Sequence, residues 1–579
     1  MKNIRTGFVF IIVSFLLFSC AKKEPPAPAL EVLRLPLYGL FESALNNMAL
    51  LDNAFQDVEL RGEFTAPSGK LIHVSGFYDG GRTWKIRFMP TETGTWFYNA
   101  SFSDGTRGET GSFECVEQGA FPGPWKQDPD NPRWLISSTG KHFLPVAVYA
   151  NCHINELDWK DLIAWCKAKG YNTIVTPTFN ATVWGNGWGN RTAFAARPLD
   201  RLETVKTDEN KMVVYDRYNL DAWKQWDKMI LDAAGAGIYI APSEGPGGRY
   251  GGQAKGNYPP DELAFYPELR DRFDSQANKN FIRYLIARQA AFWNIAYWSL
   301  GSPEVSDFAV TDEQEFLEYG RYLAQVSPDS RMIAARDGDL RNGRERRWLS
   351  RLDIPAVRKL NTVQTAPGDF NDSRWQAARP NNDLALNAWG NPPEYGGFPV
   401  LATAGLWEGQ ARADKPLRII WSFIAAGAHT IWADWRPAAD GRSSGSRGRC
   451  WTPLVGIDVH LFTLDRLGAG CVGDEQLALA AGHLREYEYW KMKPHNELAA
   501  GGAEAYCLAE PERQYLVYAP AGGSLRLDLG PGAAKYTARW FDPREGAYTP
   551  AGEITGGAVH DFAAPDGRDW VLSLRPARN

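Results

Sequence analysis

Eight strand-like apolar stretches alternate with helix-like stripes between positions 125 and 496. On both sides lie segments in which short apolar runs alternate with turn residues. Together these predict a multidomain protein: a (β/α)8 TIM barrel flanked by an N-terminal and a C-terminal β-sandwich. The length agrees, since 579 residues at roughly 150 per domain allow two to four domains. With 44% hydrophobic and 23% charged residues the chain has globular proportions, which excludes a mainly disordered or fibrous protein. Sixty-three basic against 68 acidic side chains leave a net charge of -5, so there is no electrostatic footprint for nucleic acid and no such partner is expected.

The first residues read as an address. Lys2 and Arg5 precede an apolar run from Gly7 to Phe18, which fits a secretory signal and is short of the roughly 20 residues a bilayer span needs. The run ends Leu16-Leu17-Phe18-Ser19-Cys20, which resembles a bacterial lipobox. That resemblance implies a signal peptide over 1–19, lipid on Cys20, and a membrane-anchored lipoprotein at the cell surface or in the periplasm. The alternative is an ordinary signal peptide cut nearby. Residues 20–31 are Pro-rich and have little to bury, so they are expected to be a stiff tether.

From 32 to 118 the runs are punctuated by APSG, YDGG, TETG and SDG, as in a β-sandwich, and only Leu45 to Phe55 carries helix-like spacing. Gly76 to Gly80, then Trp84 to Pro90 and Gly94-Thr95-Trp96, resemble an immunoglobulin-like domain of unknown function often found ahead of glycosidase barrels.

The barrel is expected over 125–496. Its strands are expected at His142–Ala150, Tyr171–Phe179, Ile238–Ser243, Ile295–Leu300, Met332–Ala335, Thr362–Gln364, Pro399–Thr403 and His429–Ala433. Helices are expected at Trp159–Lys169, Leu220–Ala234, Ser275–Trp293, Thr311–Val326, Arg412–Ala426 and Glu475–Trp490. A doubly wound sheet shows the same alternation, but eight units in one run favour closure.

Residues 497–579 return to strands, at Tyr515–Tyr518, Leu525–Leu529, Tyr536–Phe541 and Trp570–Leu574. The runs Arg539 to Gly546 and Pro565 to Leu572 resemble the C-terminal domain, named for collagen binding, that commonly follows apiosidase-like barrels.

A barrel carries its chemistry at the C-terminal ends of its strands, which reduces the acidic residues to Glu244, Glu304, Asp307, Asp337, Asp339, Glu408 and Asp434. Glycoside hydrolysis needs two such groups, one protonated as acid and one ionised as nucleophile or base. Between strand 2 and its helix, Trp184 and Trp188 stand in a Gly-rich loop where flat rings could stack on sugars or simply pack the loop. Arg249, in the Gly-rich run after strand 3, could face an acidic sugar. His153 and His429 are the histidines best placed to reach the mouth, more as hydrogen-bonding groups than as metal ligands. Seven cysteines without a C-x-x-C pair write neither a zinc module nor a disulfide scaffold. No metal and no cofactor are expected. Gly441 to Gly445 matches G-x-S-x-G by letter but lies in a polar loop rather than on a strand-to-helix elbow, so acyl transfer is set aside.

Across nearly the whole mature chain the sequence resembles the apiosidase-like glycoside hydrolases (glycoside hydrolase family 140 and relatives). The resemblance implies an oligosaccharide or polysaccharide substrate of plant or host origin. In that family strand 4 ends Gly-Gly-Asp, which lines up with Gly301-Ser302-Pro303, and the strand 7 Glu lines up with Ala404. The aromatic-Glu-Gly triplet is kept as Trp407-Glu408-Gly409. Both usual catalytic carboxylates are therefore replaced. One reading makes Glu304 and Glu408 the working pair, with Glu244, Asp337, His429, Trp407 and Asp434 around the substrate. The other makes the barrel a carbohydrate-binding pseudoenzyme or gives it a non-standard mechanism. Glu304 also fits a plain helix N-terminal acid.

Overall fold

The computed structural model describes residues 33–149, 156–176, 204–207, 210–213, 218, 220–242, 276–300, 313–339, 344–345, 348–354, 358–364, 377–390, 398–407, 415–433 and 473–577.

The N-terminal segment folds into a five-stranded and a three-stranded sheet whose facing side chains share one core, with Phe64, Ile86, Trp96 and Phe113 fully enclosed. The five-stranded sheet includes Leu60–Thr65 and Gly94–Phe102, where side chains alternate between buried and outward positions, as one solvated face requires. The helix-like spacing at 45–55 forms no helix: strand Phe41–Asn46 ends there and turns follow, held by Asn47 and Asn53 side chains that accept from Ala49 and Phe55 amides.

The central part is built on eight parallel strands. In chain order they are Ala147–Tyr149, Thr173–Thr176, Tyr239–Pro242, Trp298–Ser299, Ile333–Asp339, Lys359–Gln364, Val400–Trp407 and His429–Ala433, here strands 1 to 8. Their order in the sheet is 3-2-1-8-7-6-5-4, and a parallel bridge between Ile240 and Ile295, with amide bonds of 2.7 and 2.8 Å on either side, joins strand 3 to the segment entering strand 4. The buried positions of these strands are mainly apolar because both faces are covered. One face packs on the helices and the other on an inner core of Ala147, Val175, Tyr239, Ala241, Ala296, Ala334, Leu360 and Leu401.

Helices Glu156–Lys169, Leu220–Gly235, Gln276–Gln289, Glu313–Val326, Ala378–Gly390, Lys415–Ala425 and Gly473–Leu484 accompany the strands. Gly237 (φ 75°) and Gly427 (φ 67°) turn the chain from helix into strands 3 and 8 in the left-handed conformation that suits glycine.

Two expectations are corrected here. The stretch His142–Ala150 is not one strand, because His142–Phe143 pairs antiparallel with Leu135–Ser137 and only Ala147–Tyr149 joins the parallel sheet. Pro145 lies between the two pieces, where its missing N–H would cost a ladder bond. Helix Ala378–Gly390 and the hairpin Thr204–Thr207 with Asn210–Val213 were not expected.

The three-stranded sheet Trp125–Gln127, Leu135–Ser137 and His142–Phe143 lies across the N-terminal ends of the strands, and Trp125, Leu135 and Phe143 join the inner core. Among the described residues no helix is long and apolar enough to cross a membrane.

The C-terminal part is a six-stranded and a two-stranded sheet over a core that includes Tyr515, Leu527, Tyr536 and Leu572. Strands Tyr506–Glu510, Tyr548–Thr555 and Val559–Ala563 add to those expected. This domain docks on helix Lys415–Ala425 through Trp421, whose ring lies 5.9 Å from Phe541 and 6.4 Å from Tyr518.

Candidate active site at the C-terminal ends of the strands

Parallel strands end on one side of the sheet, and the opposite side is shut. At the N-terminal ends Trp125 is 1% exposed, and the Tyr239 hydroxyl donates to the Gly123 carbonyl at 2.8 Å. Asn131 donates to the Trp490 and Met492 carbonyls at 2.9 Å, and the Trp134 indole donates to Met492 at 3.0 Å. Among the described residues the N-terminal ends of the strands are thus covered, which makes their C-terminal ends the candidate side for a ligand.

The strand ends fix where the candidate acids attach. Glu408 follows Trp407, the last residue of strand 7, and Asp434 follows Ala433, the last of strand 8. Glu244 stands two positions past Pro242, and Glu304 five past Ser299. These four acids, with Trp184, Trp188, Arg249, Asp307, His153 and the lipidation candidate Cys20, lie outside the described residues.

Asp337 and Asp339 belong to the last residues of strand 5 itself, where the backbone runs on and pairs antiparallel with Arg344–Glu345. That extension was not legible in the sequence, where strand 5 was expected to stop at Ala335.

Three register shifts gather at this end: between Ala335 and Gly338 opposite strand 6, between Val363 and Gln364 opposite strand 7, and between Ala402 and Leu406 opposite strand 8. Bulges re-aim side chains and are frequent at rims and beside active sites. Ala404 pairs with Gln364 within the irregular part of strand 7.

His429 departs from expectation. It opens strand 8, so it sits at the N-terminal end rather than the mouth. The ring is 2% exposed, lies 5.4 Å from the Trp134 ring, and neither nitrogen has a partner among the described residues. Burial pushes its pKa down to about 3, so it is neutral in the folded protein.

Among the described residues no group of three or more His, Cys, Asp or Glu is placed to hold a metal ion. Cys115, Cys166 and Cys507 are free and buried, and burial raises each thiol pKa.

Comparison with known proteins adds the following. Residues 34–103 match a family described as a domain of unknown function (DUF5060), and residues 496–575 one described as "putative collagen-binding domain of a collagenase". No curated protein matches the chain. Among solved structures the chain is similar to one described as "a putative glycoside hydrolase from Bacteroides vulgatus", with a TM-score of 0.68 and 15% identity, over 94% of this chain and all of that one. A second, named "glycoside hydrolase", gives 0.53 and 16% identity over 79% of this chain and 98% of that one. A glycoside hydrolase family 5 structure from Bacteroides vulgatus also gives 0.53 and 16%, over 79% and 94%. At these identities the likeness is one of fold. It extends along nearly the whole described chain, flanking β domains included.

Proposed function

We propose that the ring of eight parallel strands is a closed (β/α)8 barrel of the glycoside hydrolase type, and that the chain hydrolyses glycosidic bonds of plant or host polysaccharide fragments at its mouth. The observation that carries this reading is that acids follow the C-terminal ends of several strands in sequence. Glu408 and Asp434 directly follow strands 7 and 8 in sequence, and Asp337 and Asp339 lie in the last part of strand 5, at the bulged end of a fold shared with glycoside hydrolase structures.

Glu304 serves as the acid that protonates the departing glycosidic oxygen. Glu408 serves as the carboxylate that attacks the anomeric carbon or takes a proton from the attacking water. Glu244, Asp337 and Asp434 hydrogen-bond sugar hydroxyls, Trp184, Trp188 and Trp407 stack on ring faces, and Arg249 meets an acidic sugar. The apiosidase-like resemblance, with an immunoglobulin-like domain ahead of the barrel, belongs to the same reading. So does a lipid on Cys20 holding the protein at a bacterial membrane, with Cys20→Ala moving it to the soluble fraction.

The test is product analysis after incubation with pectic and other oligosaccharide fragments. Release of a defined monosaccharide supports the reading, and no release from any substrate by the intact chain overturns it. A second reading, a carbohydrate-binding pseudoenzyme, is favoured by Pro303 and Ala404 standing where the related hydrolases carry their carboxylates. Saturable glycan binding without turnover would select it.

A further inference from the structure

Strand 6 runs regularly to its last residue, Gln364, while both of its neighbours bulge beside it. Ala335 and Gly338 of strand 5 stand opposite Asn361 and Val363, and Ala402 and Ala404 of strand 7 stand opposite Val363 and Gln364, so in each case the extra residue belongs to the neighbour. Plain alternation therefore assigns the faces of strand 6. Leu360 lies in the inner core, and Thr362 pairs with Leu401 of that core, so positions 360, 362 and 364 belong to the inner face of the ring.

The bulge in strand 5 changes which face Asp339 occupies. Alternation from Ala334 of the inner core would leave position 339 on the outer face. The extra residue reverses this: Gly338 pairs with Val363, so Asp339 comes level with Gln364 and onto the same face. On the other edge of strand 5, Asp339 pairs with Arg344, the placement in which opposite charges attract across antiparallel strands. Gln364 pairs with Ala404 in turn.

One row of the inner face thus reads Arg344, Asp339, Gln364, Ala404 across neighbouring strands. It stands two residues, or about 6.6 Å, beyond the level of Thr362 and Leu401, at the C-terminal ends, and its neighbouring backbones are about 4.8 Å apart. An ionised carboxylate only accepts hydrogen bonds, whereas an amide both donates and accepts. Side by side they match two neighbouring hydroxyl groups of a sugar ring. They do not match a phosphate or carboxylate, which would bring acceptors and negative charge against Asp339.

We infer that Asp339 and Gln364, level with each other on the inner face of strands 5 and 6, are a substrate-binding pair at the floor of the mouth that holds adjacent hydroxyl groups of a neutral sugar ring. The inference rests on the reading of this end of the strands as a sugar site.

The experiment compares the full chain with Gln364→Ala, Gln364→Glu and Asp339→Asn on the panel of pectic and other oligosaccharide fragments, by initial rates where product forms and by calorimetric titration where none does. Each variant should lose at least about tenfold in kcat/KM or in affinity, the scale of one hydrogen bond to substrate, with thermal unfolding unchanged. Gln364→Glu keeps the length of the side chain but replaces the amide donor by a second carboxylate beside Asp339, so it should lose as much as Gln364→Ala. Wild-type behaviour of Gln364→Glu with loss in Gln364→Ala would assign a packing role and overturn the inference. Wild-type values in Gln364→Ala or in Asp339→Asn, from a chain that does cleave or bind a fragment, overturn the pair and leave the sugar-site reading standing. A wild-type chain that neither cleaves nor binds any fragment overturns both.

Discussion

Arg288 and Asp79 form an ion pair of 2.9 Å, with side chains 1% and 7% exposed, that crosses from helix Gln276–Gln289 to the N-terminal sandwich. A second crossing stands beside it. Arg87 of the sandwich reaches Asp227 of helix Leu220–Gly235 at 2.8 Å, and Arg288 reaches the same Asp227 oxygen at 2.9 Å. The four charges alternate in sign and each desolvated group has a counter-charge, which is the condition under which burial is tolerable. Lys85 adds a third cation 3.3 Å from Asp79.

Removing one partner leaves the others buried, so Asp79→Ala should destabilise the chain by about 3 kcal/mol, the lower end for a broken buried pair because Arg288 keeps Asp227. Burial would raise the Asp79 carboxyl pKa, but Arg288 and then Lys85 outweigh it and hold it below the ordinary carboxylate range. The sign follows from that depression: the contribution is full above the unfolded value of about 3.9 and is lost as pH falls toward the folded one. Denaturation midpoints should show the advantage of wild type over Asp79→Asn constant between pH 7 and 5 and shrinking below 4. An advantage that grows on acidification would contradict the pairing.

His429 gives a second test of acid sensitivity. With a folded pKa of about 3 against about 6.5 unfolded, it is neutral in both states at pH 7 and must be held neutral at a growing cost as pH falls. Between pH 7 and pH 5 that cost is about 2 kcal/mol, taking about 1.4 kcal/mol per pKa unit. His429→Leu should therefore lose less stability than wild type over this interval, measured by urea unfolding at the two pH values. A parallel loss would mean that the ring finds a proton acceptor when charged.

What the sequence made legible depends on burial. Strands 2 to 8 read in the right places because most centre on a short apolar run covered on both faces, as in Tyr239–Pro242, but strand 6 starts earlier, at Lys359, and strands 5 and 7 run on to Asp339 and Trp407, past the ends that the sequence suggests. Helix Ala378–Gly390 did not, because Pro380, Asn381 and Asn382 read as loop chemistry. In the structure Pro380 sits in the first turn, where it is tolerated, Asn381 donates to the Ala377 carbonyl, and Asn382 donates to the Ser422 carbonyl across a buried contact. Acids following strand ends could be listed by position, since strand polarity alone assigns the side of the sheet. The same polarity moves His429 away from the mouth once the first residue of strand 8 is known.

One large side chain lies at the centre of the contact between the C-terminal domain and helix Lys415–Ala425. Trp421 is 1% exposed between its own helix and the rings of Phe541 and Tyr518. Trp421→Ala should cost about 3–5 kcal/mol, as large-to-small changes in cores do. Because the candidate acids all follow strands of the central sheet, product identity should not change. A new product profile with unaltered stability would assign the domain a part in substrate selection.

The last prediction concerns the acid pair. If Glu304 donates the proton and Glu408 attacks or activates water, each should be silenced by a Gln that keeps shape and removes charge. Glu304→Gln and Glu408→Gln should each lower kcat at least about 100-fold, the typical loss on removing a general acid or base, with thermal unfolding unchanged. The two roles separate by substrate. A leaving group that needs no protonation should rescue the acid variant and not the nucleophile variant, because only the first lacks nothing else. Product stereochemistry then reports geometry: retention requires carboxyl groups about 5–5.5 Å apart, and inversion about 6.5–9.5 Å to admit a water. Wild-type rates in both variants would exclude the pair and turn attention to Glu244, Asp337, Asp339 and Asp434, which share the same end of the strands by sequence position.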